Sequence, residues 1–92
     1  MSELTASALL TNNVGLHARP SVKLTQLAKK YDAAITVATT PDGPWFDAKS
    51  PVKMMRLKAP QGEILHFHAT GADAGAALKE LVALVTRKFD EE

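Results

Sequence analysis

Cysteine is absent from this 92-residue chain, which therefore has no disulfide framework and no thiolate metal site. The chain also lacks an apolar run of about 18 residues, the length that crosses a membrane, and a secretory signal pattern. A large net charge is missing as well, because 11 Lys and Arg against 10 Asp and Glu give +1. We therefore expect a cytoplasmic protein whose partners include neither membrane nor nucleic acid. The length predicts one domain, residues 1–92, with a single core.

The charges are unevenly distributed along the chain. Residues 1–60 carry eight Lys and Arg against four Asp and Glu, whereas residues 61–92 carry three against six. A basic surface in the first part favours an acidic protein partner. Ordinary solvated charge is the alternative explanation.

Hydrophobic periodicity predicts four strands and three helices. Alternating or β-branched segments predict strands at residues 3–10, 34–39, 45–48 and 63–70. Apolar positions at helical spacing predict helices at residues 18–31, 51–57 and 74–89. The order β-α-β-β-α-β-α predicts an α+β fold in which helices cover one face of a sheet.

Capping residues mark the predicted helix ends. Ser50 and Pro51 are a start signal for the second helix, because serine caps and proline fits the first helical position. Asp73 is the expected cap of the last helix. Lys29 and Lys30 are expected in the last turn of the first helix, where they would complement its dipole.

A histidine lies at the start of the first predicted helix, where residues 15–20 have the sequence GLHARP. The N–H groups of a first helical turn lack intrahelical acceptors and point at any anion bound there. Histidine is partly neutral and nucleophilic near pH 7. We therefore predict that His17 is a nucleophile in covalent phosphoryl transfer, with Arg19 as a bidentate cation. Taken singly, His17 is better explained as a helix cap or surface residue and Arg19 as a solvated side chain.

The second predicted helix is apolar at five of its seven positions. A short helix buries only one face, so if Met54 and Leu57 face the core, the other apolar residues stay exposed near the histidine. These exposed residues, called the docking patch below, are Pro51, Val52 and Met55. An apolar patch among cations suits transient docking of a partner protein. The alternative is that part of the patch belongs to the core.

Two further motifs have competing explanations. His66 and His68 share one face of the last predicted strand, opposite Leu65 and Phe67, and two histidines could begin a metal site. Since no third ligand is evident, we interpret both as residues of the uncovered sheet face and predict no metal or cofactor. Trp45 is interpreted as packing within the hairpin.

The element order and two separated motifs carry a family resemblance. The motifs are GLHARP at residues 15–20 and AKS at residues 48–50, with Gly62 and Gly71 around the last strand. Over residues 4–89 the chain resembles the HPr family, the histidine-containing phosphocarrier proteins of the bacterial phosphoenolpyruvate-dependent phosphotransferase system. The resemblance implies the HPr-like open-faced β-sandwich: a four-stranded antiparallel sheet, order 1-4-2-3, with three helices on one face.

The resemblance also implies roles for the residues of the first motif. His17 would accept a phosphoryl group on its Nδ1 atom from enzyme I and pass it to an enzyme IIA domain. Arg19 would neutralise the phosphate, alongside the N–H groups of Ala18 and Arg19 in the first helical turn. Such a carrier is not an enzyme by itself, and we expect a monomer.

The family has a regulatory site at the serine that begins the second helix, which is Ser50 here. In many bacteria an HPr kinase/phosphorylase modifies this serine, although Pro51 replaces the aliphatic residue that usually follows it. Helix capping alone also explains Ser50. The alternative to a carrier is a regulatory binding module of the same fold, of nitrogen-branch or catabolite-control type, whose phosphorylation state selects partners.

Overall fold

A computed structural model of the chain describes residues 3–13, 15–57 and 59–90. The strands in these ranges are β1 (Glu3–Leu9), β2 (Ala34–Ala38), β3 (Phe46–Asp47) and β4 (Ile64–Thr70). The α-helices in the same ranges are α1 (Ala18–Ala28), α2 (Pro51–Leu57) and α3 (Ala74–Thr86), and a short 3-10 helix follows at Lys88–Asp90.

The four strands form one antiparallel sheet in the order β1-β4-β2-β3. Strand β4 is central, and its Phe67 lies opposite Ala6 of β1 on one side and Val37 of β2 on the other. The helices of the described residues cover one face of this sheet and leave the other uncovered. The predicted open-faced sandwich and its strand order are confirmed.

Strand alternation determines which side chains enter the core. On β4, Leu65, Phe67 and Ala69 are fully buried beneath the helices, whereas Ile64 is 46% exposed on the uncovered face. Removal of these apolar side chains from water favours the folded state. The largest side chains that are fully buried include Phe67, Phe89, Leu10, Leu16, Leu24, Ile35 and Met54.

The uncovered sheet face carries His66 and His68, as the alternation predicts, and both are half-buried. The Nε2 atom of His68 lies 3.1 Å from Oε1 of Glu3 on the neighbouring strand. Among the residues that the structure describes, no group of three or more His, Cys, Asp or Glu is placed to hold a metal ion. In the same part of the chain, no helix has the length and apolarity to span a bilayer.

Trp45 packs back on the hairpin turn at Gly43, as predicted, and it also lies beside His68 of the uncovered face. Its ring centroid is 6.0 Å from that of His68, while Phe46 packs against the core. A Cβ on Gly43 would come within 2.8 Å of the indole Cδ1 atom, so only glycine lets the indole fold back on this turn.

Helix α1 ends at Ala28, so Lys29 and Lys30 lie beyond its last turn, contrary to the prediction. The N–H of Tyr31 donates to the Ala28 carbonyl at 3.3 Å, an i−3 bond typical of a tightening helix end. The Tyr31 carbonyl accepts a 2.8 Å bond from Lys49 Nζ. Tyr31 still packs against the core, because its side chain points inward although the residue lies beyond the α-helix.

Helix α3 ends at Thr86, before the predicted end at Phe89. Lys88, Phe89 and Asp90 have φ values of 58°, 57° and 60°, which turns the chain back with left-handed backbone. Phe89 is nevertheless fully buried, and its carbonyl accepts a 2.7 Å bond from Lys23 Nζ of α1. The C-terminal tail, residues 88–90, is thus hydrogen-bonded to α1.

Asp73 occupies the N-cap position of α3 but makes no side-chain cap bond to the described N–H groups of that helix. Its Oδ2 instead accepts the N–H of Asp32 at 2.7 Å. The predicted cap position is therefore confirmed, but the carboxylate joins the loop before β2 to the loop before α3 instead of bonding the helix.

Candidate functional site

His17 occupies the N-cap position of α1, with extended φ and ψ of −101° and −163°. Its carbonyl accepts the N–H of Ser21 at 2.9 Å, the first bond of the helix. Its imidazole makes no cap bond to any described helix N–H, and the residue is exposed. The backbone of His17 is therefore fixed while its ring stays accessible to another protein.

The turn before His17 requires a glycine. Gly15 has φ +65°, and a Cβ there would collide with the Ala59 carbonyl and lie 2.8 Å from the Gln61 nitrogen. The next N–H, that of Leu16, donates to the same Ala59 carbonyl at 2.7 Å, and the Leu16 side chain is buried. The chain thus passes tightly against the 59–61 segment immediately before the histidine.

The first turn of α1 presents an exposed cationic end. Ala18 and Arg19 are exposed, whereas Pro20 is buried at a first-turn position where its missing N–H costs nothing. The Ala18 N–H belongs to the first turn and has no acceptor within the helix. Arg19 and Lys23 border a surface depression of about 330 Å³. A phosphoryl group bound at the first turn of α1 would meet backbone N–H donors and positive side chains.

The docking patch is exposed on α2, as the sequence pattern predicts. Val52 and Met55 are 60% and 42% exposed and Pro51 is exposed, while Met54 on the opposite face is fully buried. Met55 shares a depression of about 190 Å³ with Leu16, His17 and Ala18. The structure therefore brings one residue of the patch, Met55, beside His17.

Ser50 caps α2. Its Oγ accepts the N–H of Lys53 at 3.3 Å, and its carbonyl accepts the N–H of Met54 at 3.0 Å. The side chain is half-buried, and the capping role predicted from the Ser-Pro pair is confirmed. Ser50 lies one residue before the docking patch, at the other end of α2 from its last turn.

Asn12 is a residue of this region that the sequence patterns do not single out. It is 1% exposed, and its Nδ2 donates to the Gly15 carbonyl at 2.8 Å. An Asn three residues before a glycine is a known turn arrangement, so its spacing to Gly15 is the signal that could have identified it.

Comparisons with known proteins agree with this geometry. Residues 4–87 match the family described as PTS HPr component phosphorylation site. Phosphocarrier protein HPr of Pseudomonas aeruginosa is 37% identical over 82 residues, which cover 89% of this chain and 90% of that protein. Phosphocarrier protein NPr of Shewanella violacea is 36% identical over 91 residues, which cover 99% and 98%. The crystal structure of an HPr from Thermoanaerobacter tengcongensis superposes with TM-score 0.84 at 38% identity, covering 100% and 99%.

Proposed function

The chain belongs to the HPr family of phosphocarrier proteins, and from that premise we propose that it carries a phosphoryl group on Nδ1 of His17. The group comes from phospho-enzyme I and goes to an enzyme IIA domain. The protein acts as a monomeric single domain and is not an enzyme by itself. One observation carries this proposal. The His17 side chain is exposed at the N-terminus of α1 and makes no cap hydrogen bond to the described N–H groups of that helix.

The transfer step needs little from the carrier beyond a placed nucleophile. His17 reacts as the neutral imidazole that keeps its Nε2 proton, and its Nδ1 lone pair forms the N–P bond. The bond from phosphorus to the donor atom on enzyme I breaks at the same time. Transfer to the IIA domain is the same exchange with His17 as the leaving group, so the carrier is restored.

The residues around His17 divide the remaining work. The phosphoryl oxygens accept hydrogen bonds from first-turn N–H groups such as that of Ala18, and the Arg19 guanidinium offsets their charge. Docking is assigned to Pro51, Val52 and Met55, because Met55 borders the same depression as His17. A small exposed patch suits brief encounters with more than one partner.

Phosphorylation in vitro tests the carrier role. Incubation with phosphoenolpyruvate and enzyme I should add one acid-labile phosphoryl group, and His17→Ala should abolish it. Arg19→Ala should slow the transfer at least about tenfold, since a hydrogen bond to a charged group is worth about 1.5–3 kcal/mol. Lys79→Ala, an exposed cation on α3, is the matched control and should transfer at the wild-type rate. An unmodified wild type, or equal labelling of His17→Ala, would reject the proposal.

A regulatory role for Ser50 is the second proposal, and it rests on the position of this residue at the cap of the helix that carries the docking patch. A phosphate added by a kinase of the HPr kinase/phosphorylase type would place about two negative charges beside that patch. Binding of enzyme I should weaken for Ser50→Asp but not for Ser50→Ala. A carrier that binds enzyme I equally in both variants has no such switch.

A regulatory module that selects partners by its phosphorylation state is the other function this fold could serve. The relatives that match at 37% and 36% identity, HPr and NPr, are both named phosphocarrier proteins, so their identities favour the carrier. Pull-down of partners with wild type, His17→Ala and Ser50→Asp separates a carrier from a module. Loss of phosphoryl transfer in His17→Ala identifies a carrier, whereas a partner that Ser50→Asp captures and wild type does not identifies a module.

A further inference from the structure

Asn12 makes a double connection to Gly15. The Asn12 carbonyl accepts the N–H of Gly15 at 3.2 Å, and the Asn12 Nδ2 donates to the carbonyl of Gly15 at 2.8 Å. The Asn12 side chain is 1% exposed, although an amide is costly to bury without partners. A buried polar side chain directed at one backbone carbonyl points to a specific geometric task.

The chain between this clamp and the imidazole has little freedom. Gly15 is held by Asn12 on one side, and the N–H of Leu16 is held by the Ala59 carbonyl on the other. His17 then starts α1, with its own carbonyl bonded to Ser21. The imidazole has no cap bond to the described helix N–H groups that would orient it independently. The position and direction of the His17 Cα–Cβ bond therefore follow from the backbone of residues 15–17.

We propose that Asn12 is a positioning residue for phosphoryl transfer. It holds the Gly15 carbonyl, and through it sets where the His17 imidazole meets the first-turn N–H groups of α1. This inference rests on the proposed carrier role of His17. A neutral amide fits the task, because the acceptor is a carbonyl and a carboxylate at this place would repel it and bury a charge.

Three variants isolate the role of the amide. Asn12→Ala removes the donor, and Asn12→Asp keeps the size of the side chain but removes the Nδ2 donor. Val85→Ala is the matched control, because it truncates a fully buried side chain of α3, outside residues 12–17, and should lower stability by a core cavity alone. Thermal unfolding of each variant fixes a temperature at which all are folded.

The decisive readouts are those that a merely structural role would leave unchanged. At saturating phospho-enzyme I, both Asn12 variants should be phosphorylated about tenfold more slowly with an unchanged apparent KM, as expected when one hydrogen bond that aligns the nucleophile is lost. Their phosphohistidine should hydrolyse with an altered half-life. Val85→Ala should match wild type in all three quantities.

Each outcome of these measurements either supports or rejects the positioning role of Asn12. Wild-type transfer rates and phosphohistidine lifetimes in both folded Asn12 variants overturn the positioning role, as does an equal slowing in Val85→Ala. If wild type itself takes up no phosphoryl group, the carrier function fails, and the nitrogen NMR shifts of the His17 ring then decide alone. Shifts that change in the Asn12 variants but not in Val85→Ala support positioning, and unchanged shifts reject it. If Asn12→Ala does not fold, Asn12→Asp is judged by the same criteria.

Discussion

At the scale of single residues, Gly15 shapes the turn that leads into His17. Its φ of +65° is unfavourable for a side chain by about 1–2 kcal/mol, and a Cβ there would also meet the Ala59 carbonyl. At Gly62, with φ +95°, no heavy atom lies within 4 Å of an added Cβ. A side chain there would therefore meet backbone strain but no steric collision. The two glycines therefore separate backbone strain from steric collision.

We predict that Gly62→Ala lowers the free energy of unfolding by about 1 kcal/mol. Gly15→Ala should lower it by about 3 kcal/mol or more, because overpacking against a fixed carbonyl adds about 1–3 kcal/mol to the strain. Urea unfolding followed by circular dichroism measures both values. Equal losses for the two variants would show that the Ala59 contact is easily relieved, and that the turn is not held as tightly as described.

At the scale of elements, hydrophobic periodicity predicted which side chains are buried better than it predicted where helices end. Tyr31 and Phe89 both continue an apolar stripe and both pack inward, yet each lies beyond the α-helix that the stripe suggested. Burial depends on side-chain direction, whereas a helix end depends on hydrogen bonds. Beyond the helix ends, the carbonyls of Tyr31 and Phe89 accept bonds from the distant residues Lys49 and Lys23, which no local pattern shows.

At the candidate site too, local sequence patterns predicted some features, and others depend on the tertiary structure. The GLHARP string placed His17 correctly at the start of α1, because a glycine turn and a first-turn proline are local signals. Asn12 was missed because its meaning depends on burial, which the fold supplies. The exposure of the docking patch was predicted since seven residues of α2 offer only one inward face.

Helix α2 offers a direct comparison between adjacent methionines. Met54 is fully buried and Met55 is 42% exposed. Met54→Ala should lower the free energy of unfolding by about 2–5 kcal/mol. Met55→Ala should leave stability within about 0.5 kcal/mol and weaken enzyme I binding several-fold, because it removes apolar contact beside His17. Titration calorimetry with enzyme I measures the affinity of Met55→Ala. An unchanged affinity would show that Met55 does not take part in docking.

At the scale of the whole molecule, the C-terminal tail connects the end of the chain to the helix that bears the site. Three residues in left-handed backbone turn the chain so that Phe89 enters the core, and Lys23 of α1 donates to the Phe89 carbonyl. Left-handed backbone at non-glycine residues is unfavourable, so its presence implies that burial of the aromatic ring outweighs it. The tail therefore contacts α1, the helix that begins after His17.

We predict that Phe89→Ala lowers the free energy of unfolding by about 3–5 kcal/mol, a large share of the roughly 5–15 kcal/mol of a small domain. Phe89→Leu, which keeps most of the apolar volume, should lose about 1–2 kcal/mol. Because the tail carbonyl receives the Lys23 bond, amide hydrogen exchange in α1 should also accelerate in Phe89→Ala at temperatures where the protein stays folded. Exchange that accelerates only in α3 would mean that the tail supports its own helix and not the helix of His17. A loss below about 1 kcal/mol would contradict the buried position of the ring altogether.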